Sequence, residues 1–257
     1  MPVENLFEII EKLDPEQRKL LLEVGRAMLR PIQETLNDQS DLATPSFRNC
    51  FRNRLLIHHA TNEAKLTKKS FEYAFAKACL ADGKTALIIP SQTNPGADVV
   101  VDGVPFSLKT EAATDIRPDR INISKLSEAR WIQQCQTIEE LAHEAATRIP
   151  AHLENYNRIV MLRAYNRQNG KVLYELMEIH KSTLLHIQKL TPADFSARSN
   201  QGGSTAKVFI DGEEAFSLRL DGSDGKVTIA SLRSSFCSKH CAWEIPVFAL
   251  DSEFDSH

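Results

Sequence analysis

The chain has 257 residues, of which 42% are hydrophobic and 25% are charged, and this is the composition of an ordinary folded protein with a substantial core. Its net charge of -3 excludes a strongly basic or strongly acidic protein, although a local basic patch can still bind a polyanion. The five cysteines lack a disulfide-framework spacing and no apolar run approaches the roughly 18 residues of a membrane span, so we expect a cytoplasmic protein with reduced thiols.

The start of the chain predicts two helices with a break between them. Asp14, Pro15 and Gln17 stand where the N-cap, N1 and N3 residues of a helix are expected. Apolar residues recur at helical spacing on both sides of this start, and Pro31 ends the pattern. We expect a helical layer over 1–45 that packs on the main body, and a dimerisation element is the alternative.

The rest of the chain predicts a series of helices and strands. In chain order these are a loop at 37–46, a helix at 67–81, strands at 85–90, 97–102, 104–111 and 121–124, a helix at 127–149, strands at 158–165 and 172–179, a loop at 197–206, and short strands over 206–248. Asp-Gly pairs at 102–103, 211–212 and 221–222 indicate hairpin turns. This order predicts an α/β fold with a mixed central β-sheet flanked by helices.

The hairpin centred on 102–103 carries charged residues inside otherwise apolar strands. A two-residue turn there sets the register, which pairs Val101 with Val104, Val100 with Pro105, Val99 with Phe106 and Asp98 with Ser107. One face of the hairpin is then apolar, and the other carries Asp98, Ser107, Lys109 and Glu111. Asp98 and Lys109 become diagonal neighbours about 7–8 Å apart at Cα. A solvated ion pair worth about 0–1 kcal/mol is the alternative to a functional site.

Carboxylates beside a lysine suit the hydrolysis of a phosphodiester. Glu72 stands at the edge of the apolar stripe of the preceding helix, from which it can lean toward the same sheet face. Carboxylate oxygens are the ligands that Mg²⁺ prefers, and the ion offsets charge on the phosphate and lowers the pKa of a bound water. The lysine can orient the attacking water and stabilise the transition state.

The same residues resemble a known nuclease motif. Asp98 followed by Ser107-Leu108-Lys109 is similar to the motif of the PD-(D/E)XK nuclease superfamily, with an Asp on one strand and acid-x-Lys on the next. Glu72, in the stretch SFEYAF, is similar to the extra glutamate that this superfamily carries on a helix before the core. The chain further resembles type II restriction endonucleases over most of its length from residue 54, in the stretches 54–78, 91–113, 152–165 and 241–247.

The sequence departs from the motif at Ser107, which stands where the second acid is expected. The resemblance implies Asp98 and Glu72 as metal ligands, with the carbonyl oxygen of Leu108 as a third. Glu111 either completes the site or holds Lys109, and both glutamates remain candidates for the missing carboxylate.

The resemblance also implies an architecture and an activity. It implies a single catalytic domain over 1–257, with an N-terminal helical subregion at 1–45, a restriction-endonuclease-like core at 50–180 and a mainly β subregion at 181–257. It implies a homodimer that uses Mg²⁺, and no small-molecule cofactor, to cut double-stranded DNA within a restriction-modification system. The implied site is a short GC-rich palindrome resembling CCCGGG, cut to blunt ends. A repair-type nickase on the same fold and a DNA-binding protein with a degenerate nuclease site are the alternatives.

Basic residues outside the hairpin are candidates for DNA contacts. Residues 155–174 contain four cations and no acid, and Lys68 and Lys69 stand in the first turn of the 67–81 helix. Phosphate contacts give affinity and base-edge contacts give specificity, and the polar 197–206 loop carries side chains suited to base edges, although it is equally typical of a plain loop. The candidates are Lys68, Lys69, Lys125, Arg163, Arg167, Arg198 and Gln201.

Two other groups of potential metal ligands stand in the sequence. Cys237, His240 and Cys241 resemble half of a zinc site, without a second pair of ligands nearby. His58 and His59 lack a carboxylate or cysteine at metal-ligand spacing, so we expect a structural role or a phosphate contact.

Overall fold

The computed structural model describes residues 5–90, 96–167 and 170–247. Its α-helices are α1 (Leu6–Lys12), α2 (Pro15–Met28), α3 (Pro45–Thr61), α4 (Lys68–Ala81), α5 (Ile138–Leu153) and α6 (Lys181–Leu184). Its strands are β1 (Gln33–Leu36), β2 (Ala86–Ile88), β3 (Val99–Val101), β4 (Val104–Glu111), β5 (Arg120–Glu128), β6 (Arg158–Arg167), β7 (Lys171–Ile179), β8 (Ser204–Ile210), β9 (Glu213–Asp221), β10 (Lys226–Arg233) and β11 (Cys237–Pro246). Within these ranges no helix is both long and apolar enough to cross a membrane.

A seven-stranded mixed sheet forms the centre of the molecule. Its strand order is β1-β11-β7-β6-β4-β3-β2. β4 and β6 pair in parallel, whereas the other neighbours pair antiparallel. Parallel strands require a crossover connection, and α5 lies in the one between β4 and β6. The predicted α/β class with a mixed central sheet flanked by helices is therefore confirmed.

Two hydrophobic cores hold the sheet between two layers. On one face α3 contributes Phe47 and Phe51 and α4 contributes Phe71 and Phe75, and this aromatic group packs on Trp243 of β11 in the sheet. On the other face lie α5 and a second sheet of order β5-β10-β9-β8. Burying one large apolar side chain stabilises the fold by about 1.5–3 kcal/mol, so the cores fix both layers against the sheet.

Helix boundaries differ from the prediction in two places. α3 occupies a segment in which the sequence pattern singled out no helix. The helix expected at 127–149 begins only at Ile138, because β5 continues to Glu128 through its pairing with β10. A 3-10 turn over Arg130–Gln133 fills the interval, and its apolar side chains have nearly the same period as those of the helix that follows.

The two later Asp-Gly pairs behave differently from each other. Asp211 and Gly212 both have positive φ, at 50° and 84°, and form the predicted two-residue turn between β8 and β9. The pair at 221–222 does not form such a turn, because the Asp221 carboxylate accepts the backbone N–H groups of Ser223 and Asp224 and widens the loop. The connection between β9 and β10 therefore has four residues.

The expected subregions share strands between the two sheets. β5, from the expected core at 50–180, pairs with β10 in the second sheet. β11, from the expected C-terminal subregion at 181–257, pairs with β7 in the central sheet. The division into 1–45, 50–180 and 181–257 within a single domain stays a prediction.

A hydrogen-bonded chain through His59 positions the start of α4. The Leu66 N–H donates to the Tyr174 hydroxyl over 3.1 Å, and that hydroxyl lies 2.7 Å from His59 Nε2. His59 Nδ1 lies 2.9 Å from the carbonyl oxygen of Asn62, so it carries the proton, and Nε2 accepts from Tyr174. His59 therefore has a structural role, which joins α3, β7 and the residues just before α4.

We expect the protein to lose stability between pH 6.5 and 4 because of His59. Burial lowers the pKa of His59 to about 4 in the folded state, so over this range the unfolded chain binds a proton that the folded chain does not. Stability is then full above pH 6.5 and falls by up to about 3 kcal/mol as the pH approaches 4. Urea denaturation of the wild type and of His59→Gln measures this, with exposed His143→Gln as the control. An equal pH slope in all three proteins would contradict the assignment.

Candidate active site

The 98–111 hairpin has the predicted register. Asp102 and Gly103 have positive φ values of 47° and 79°, as a two-residue hairpin turn requires. Three of the four expected pairs, those of Val99, Val100 and Val101, are present between β3 and β4. The fourth, Asp98 with Ser107, is not part of the ladder, because the Asp98 N–H donates to the Phe106 carbonyl oxygen over 2.8 Å, but the two side chains still lie next to each other. The charged positions of the hairpin are therefore fixed by its turn.

The Asp98 carboxylate is held by the backbone of β4. The Leu108 N–H donates to Asp98 Oδ2 over 2.6 Å, and the Ser107 hydroxyl lies 3.5 Å from the same oxygen. Ser107 is buried beside Asp98, at the position where the motif has its second acid. The side chain there is a hydroxyl that can donate to Asp98 and supplies no negative charge.

The ammonium of Lys68 bridges Asp98 and Glu72. Lys68 Nζ lies 2.7 Å from Asp98 Oδ1 and 3.4 Å from Glu72 Oε1. Lys68 and Glu72 are one turn apart on α4, whose start is capped by the Thr67 hydroxyl. Burial raises the pKa of Glu72; the Lys68 charge opposes that shift and the Asp98 charge adds to it. Two carboxylates that share one cation form a donor set that fits a metal ion.

Lys109 lies beside this group without an ion pair of its own. No acceptor among the described residues lies within hydrogen-bonding distance of its ammonium. Burial lowers the pKa of Lys109 to about 8, with the Lys68 charge adding to the shift and the Asp98 charge opposing it. The sheet therefore brings together Asp98, Lys109 and, through Lys68, Glu72.

Glu111 is occupied elsewhere. Its Oε2 accepts from Arg163 Nε over 2.6 Å, and its Oε1 accepts from the backbone and side-chain nitrogens of Asn122 over 2.9 and 3.1 Å. Glu111 is buried, so these donors satisfy a carboxylate that water does not reach. Of the two glutamates that the sequence left open, the geometry favours Glu72.

Arg163 is in the core, and the expectation that it contacts DNA is wrong. Its side chain has 0% exposure. Besides Glu111, its guanidinium donates to the carbonyl oxygens of Arg117 and Arg120 over 2.8 and 2.5 Å. It therefore holds the connection between β4 and β5 and has no surface left for a phosphate.

The other DNA-binding candidates lie at the surface in two places. Lys68 contacts both carboxylates, Lys69 follows it on α4, and the charge of the exposed Lys125 acts on Lys109 although its ammonium also bonds Glu128 over 2.8 Å. The others are on other parts of the chain: Arg167 is exposed at the end of β6, Gln201 is exposed before β8, and half-buried Arg198 donates to the Gly202 carbonyl oxygen over 3.2 Å.

A second acidic group was not anticipated from the sequence. Asp41, Glu178 and His240 place potential ligand atoms within 4.8 Å of one another. The Arg158 guanidinium donates to Asp41 over 2.8 and 2.9 Å and to Glu178 over 2.9 and 2.5 Å. His240 Nδ1 lies 2.8 Å from the Ser40 hydroxyl. Both acids are thus paired with an arginine. Because Asp41 and Glu178 are far apart in the sequence, no local sequence pattern predicts that they meet.

This group differs from the half zinc site suggested by the sequence. His240 Nε2 lies 3.0 Å from Glu178, and within the described chain it does not group with Cys237 and Cys241. Hydrogen bonds to His240 and Arg158 outweigh burial and lower the pKa of Glu178 to about 2. The network joins the loop before α3 to β6, β7 and β11, so its role is structural.

A family model and a similar protein of known activity place this chain in the same family. Residues 13–245 match the SmaI family, described as Type II site-specific deoxyribonuclease. The type II restriction enzyme SmaI of Serratia marcescens is 33% identical over 248 residues, which cover 94% of this chain and 96% of that protein. A solved structure described as a restriction endonuclease in complex with substrate DNA has a TM-score of 0.36 and 11% identity, over 81% of this chain and 93% of that one. The chain belongs to the SmaI family of type II site-specific deoxyribonucleases.

Proposed function

We propose that this type II restriction endonuclease hydrolyses DNA at the group formed by Asp98, Glu72 and Lys109, with Mg²⁺ as its cofactor. The observation that supports this most directly is the position of Lys68, whose ammonium bridges the two carboxylates over 2.7 and 3.4 Å. Two carboxylates that hold one ammonium between them can hold a divalent metal ion in the same place. Lys109 beside it supplies the lysine of the motif.

Each residue has a separate task in this proposal. Asp98, Glu72 and the Leu108 carbonyl oxygen hold the ion, and Ser107 and the Leu108 N–H keep Asp98 in place. Mg²⁺, when bound, offsets charge on the phosphate and acidifies water at the site. Lys109 orients the attacking water through its Nζ and stabilises the charge that develops on the phosphate.

The DNA would be held by the basic residues that remain at the surface. Lys68 contacts the carboxylates, Lys69 is its neighbour on α4 and the Lys125 charge acts on Lys109, so phosphates next to the scissile bond would pass these three lysines. Arg167, Arg198 and Gln201 are proposed for contacts farther along the duplex. Positive side chains at these places give affinity through phosphates, while the loop before β8 offers groups for base edges.

The proposed substrate is a short palindrome read by a homodimer in the cytoplasm. Two-fold symmetry in the protein matches two-fold symmetry in the DNA site. A GC-rich site resembling CCCGGG, cut to blunt ends, is proposed because the chain is 33% identical to SmaI over nearly its whole length.

We expect the wild type to cut genomic DNA in Mg²⁺ and not in EDTA, and sequencing of the ends gives the site and the stagger together. Asp98→Asn, Glu72→Gln and Lys109→Met should each lower the cleavage rate by about 10³-fold, because each removes a group that acts on the reacting phosphate. Binding of the same duplex in Ca²⁺, measured by fluorescence anisotropy, should persist in Lys109→Met.

Exposed Glu139→Gln, on α5, is the matched control for the acidic variants. Wild-type rates in Asp98→Asn or Glu72→Gln would show that the active site lies elsewhere. Nicked circles without linear product would indicate a nickase, and specific binding without any cleavage in Mg²⁺ or Mn²⁺ would indicate a DNA-binding protein.

Lys68→Met should raise the affinity for a divalent ion by about 10-fold, because an ion held by Asp98 and Glu72 must otherwise displace the Lys68 ammonium. Isothermal titration calorimetry with Ca²⁺ on the DNA-free protein measures this. The same variant should reduce the salt slope of DNA binding by about one unit, since it removes one phosphate contact. Lys69→Met, the neighbouring exposed lysine, should share the smaller salt slope and keep the wild-type Ca²⁺ affinity. Unchanged Ca²⁺ affinity in Lys68→Met would mean that the two carboxylates do not hold the ion.

Arg163→Met should destabilise the protein by about 3–5 kcal/mol, because it leaves the buried Glu111 carboxylate without its cation. Arg167→Met, at the exposed end of the same strand, should leave stability unchanged and weaken DNA binding. Thermal unfolding and anisotropy separate the two effects. Equal stability of the two variants would contradict the structural role of Arg163.

A further inference from the structure

The outer surface of α1 and α2 carries many exposed apolar side chains. Within the described residues, no side chain of α1 is buried, and Ala27 is the one buried residue of α2. The large apolar residues exposed here are Leu6, Phe7, Ile9, Leu20, Leu21, Leu22, Met28 and Leu29, with 38–86% exposure. Short helices are stabilised mainly by burying an apolar face, so this pair of helices requires a partner surface.

The size of this surface is that of a protein interface. Leu20 lies on the same side of α2 as the buried Ala27 at 100° per residue; if each of the other seven side chains presents about 200 Å² when fully exposed, together they expose roughly 770 Å². A typical monomer has a largest apolar patch of about 300–600 Å², whereas a standard interface covers about 800 Å² on each partner. The surface on α1 and α2 is therefore larger than that of most monomers.

α2 has a second apolar face in addition to the one that packs on α3. Leu21, Leu22, Gly25, Met28 and Leu29 recur at i, i+1, i+4, i+7 and i+8, which is the pattern of a continuous helix face. At 100° per residue, Leu22 and Leu29 lie on the side of the helix opposite the buried Ala27. We call these five residues the α2 outer face.

Gly25 lies at the centre of the α2 outer face. A Cβ atom built at this position would have nothing within 4 Å, so packing within the described chain does not require a glycine there. Glycine weakens a helix interior relative to alanine. Its place between Leu22 and Leu29 instead allows a second helix to approach the backbone closely.

We propose that the exposed apolar side chains of α1 and the α2 outer face together form the contact through which two copies of this chain associate. A heptad-like stripe of leucines around a small residue is self-complementary when two copies meet about a two-fold axis. This inference draws on the proposed function in one respect, since a palindromic site calls for such an axis. Residues 248–257, the longest stretch outside the described ranges, have three large apolar side chains, too few to cover the eight.

The test is the mass of the full-length protein in solution, measured by sedimentation equilibrium without DNA. The wild type should have about twice the chain mass of 28.9 kDa. Leu22→Gln with Leu29→Gln should weaken the dimer by about 100-fold or more, because four leucines leave the contact. Leu80→Gln with Phe209→Gln, two exposed apolar residues outside this surface, should leave the mass unchanged. Circular dichroism checks that each protein is folded.

Three outcomes overturn the proposal. They are a monomeric wild type, a dimer that survives the Leu22 and Leu29 changes, and a dimer that the control changes dissociate equally. If the wild type is a monomer and Leu22→Gln with Leu29→Gln lowers its stability, the α2 outer face is covered by another part of its own chain. Cleavage assays on the same samples test the interface and the proposed function separately. If the wild type cuts DNA but the Leu22 and Leu29 variant remains a dimer, only the interface is refuted. If the wild type is an inactive dimer and the variant dissociates, only the proposed activity is refuted.

Discussion

The turn at Asp102 and Gly103 is the constraint on which the site depends. Both residues adopt positive φ, and a two-residue turn leaves the strands one register. A slip by one residue would exchange the two faces of β4, placing Lys109 in the core and Leu108 at the surface. The valines and Phe106 on the apolar face make such a slip costly, so the same contacts that build the core also hold Asp98 beside Leu108 and Lys109.

Charge pairing then distinguishes two kinds of acid in this structure. Glu111 and Glu178 are each bound by an arginine that is wholly or mostly buried, because an unpaired carboxylate in such a place would cost several kcal/mol. Asp98 and Glu72 are instead bridged by Lys68, a lysine whose side chain is 46% exposed. A flexible, partly solvated cation can be exchanged for a metal ion or a phosphate, whereas the buried Arg163 guanidinium, which backbone carbonyls also hold, cannot.

The position of Glu72, the proposed second acid of the site, depends on distant packing. Glu72 comes from α4, whose start is held by the Leu66, Tyr174 and His59 chain. Tyr174 is on β7, two strands away from β4 in the sheet. The helix that carries Glu72 is therefore fixed to the sheet at its start through Tyr174 and along its length through Phe75, which packs on Phe106 of the hairpin.

The sequence by itself determined the features that local chemistry controls. The capping box at Asp14 and Gln17, the hairpin register and the positions of Asp98 and Lys109 follow from residues a few places apart, and the resemblance to a nuclease motif rests on them. The tertiary structure paired Glu111 with the buried Arg163, placed Glu72 and Asp98 on the same lysine, and joined Asp41 to Glu178 and His240. Residue pairs such as Glu111 and Arg163 are 52 positions apart, and no local pattern shows which cation neutralises which acid. That depends on strand order and on which faces are closed to water.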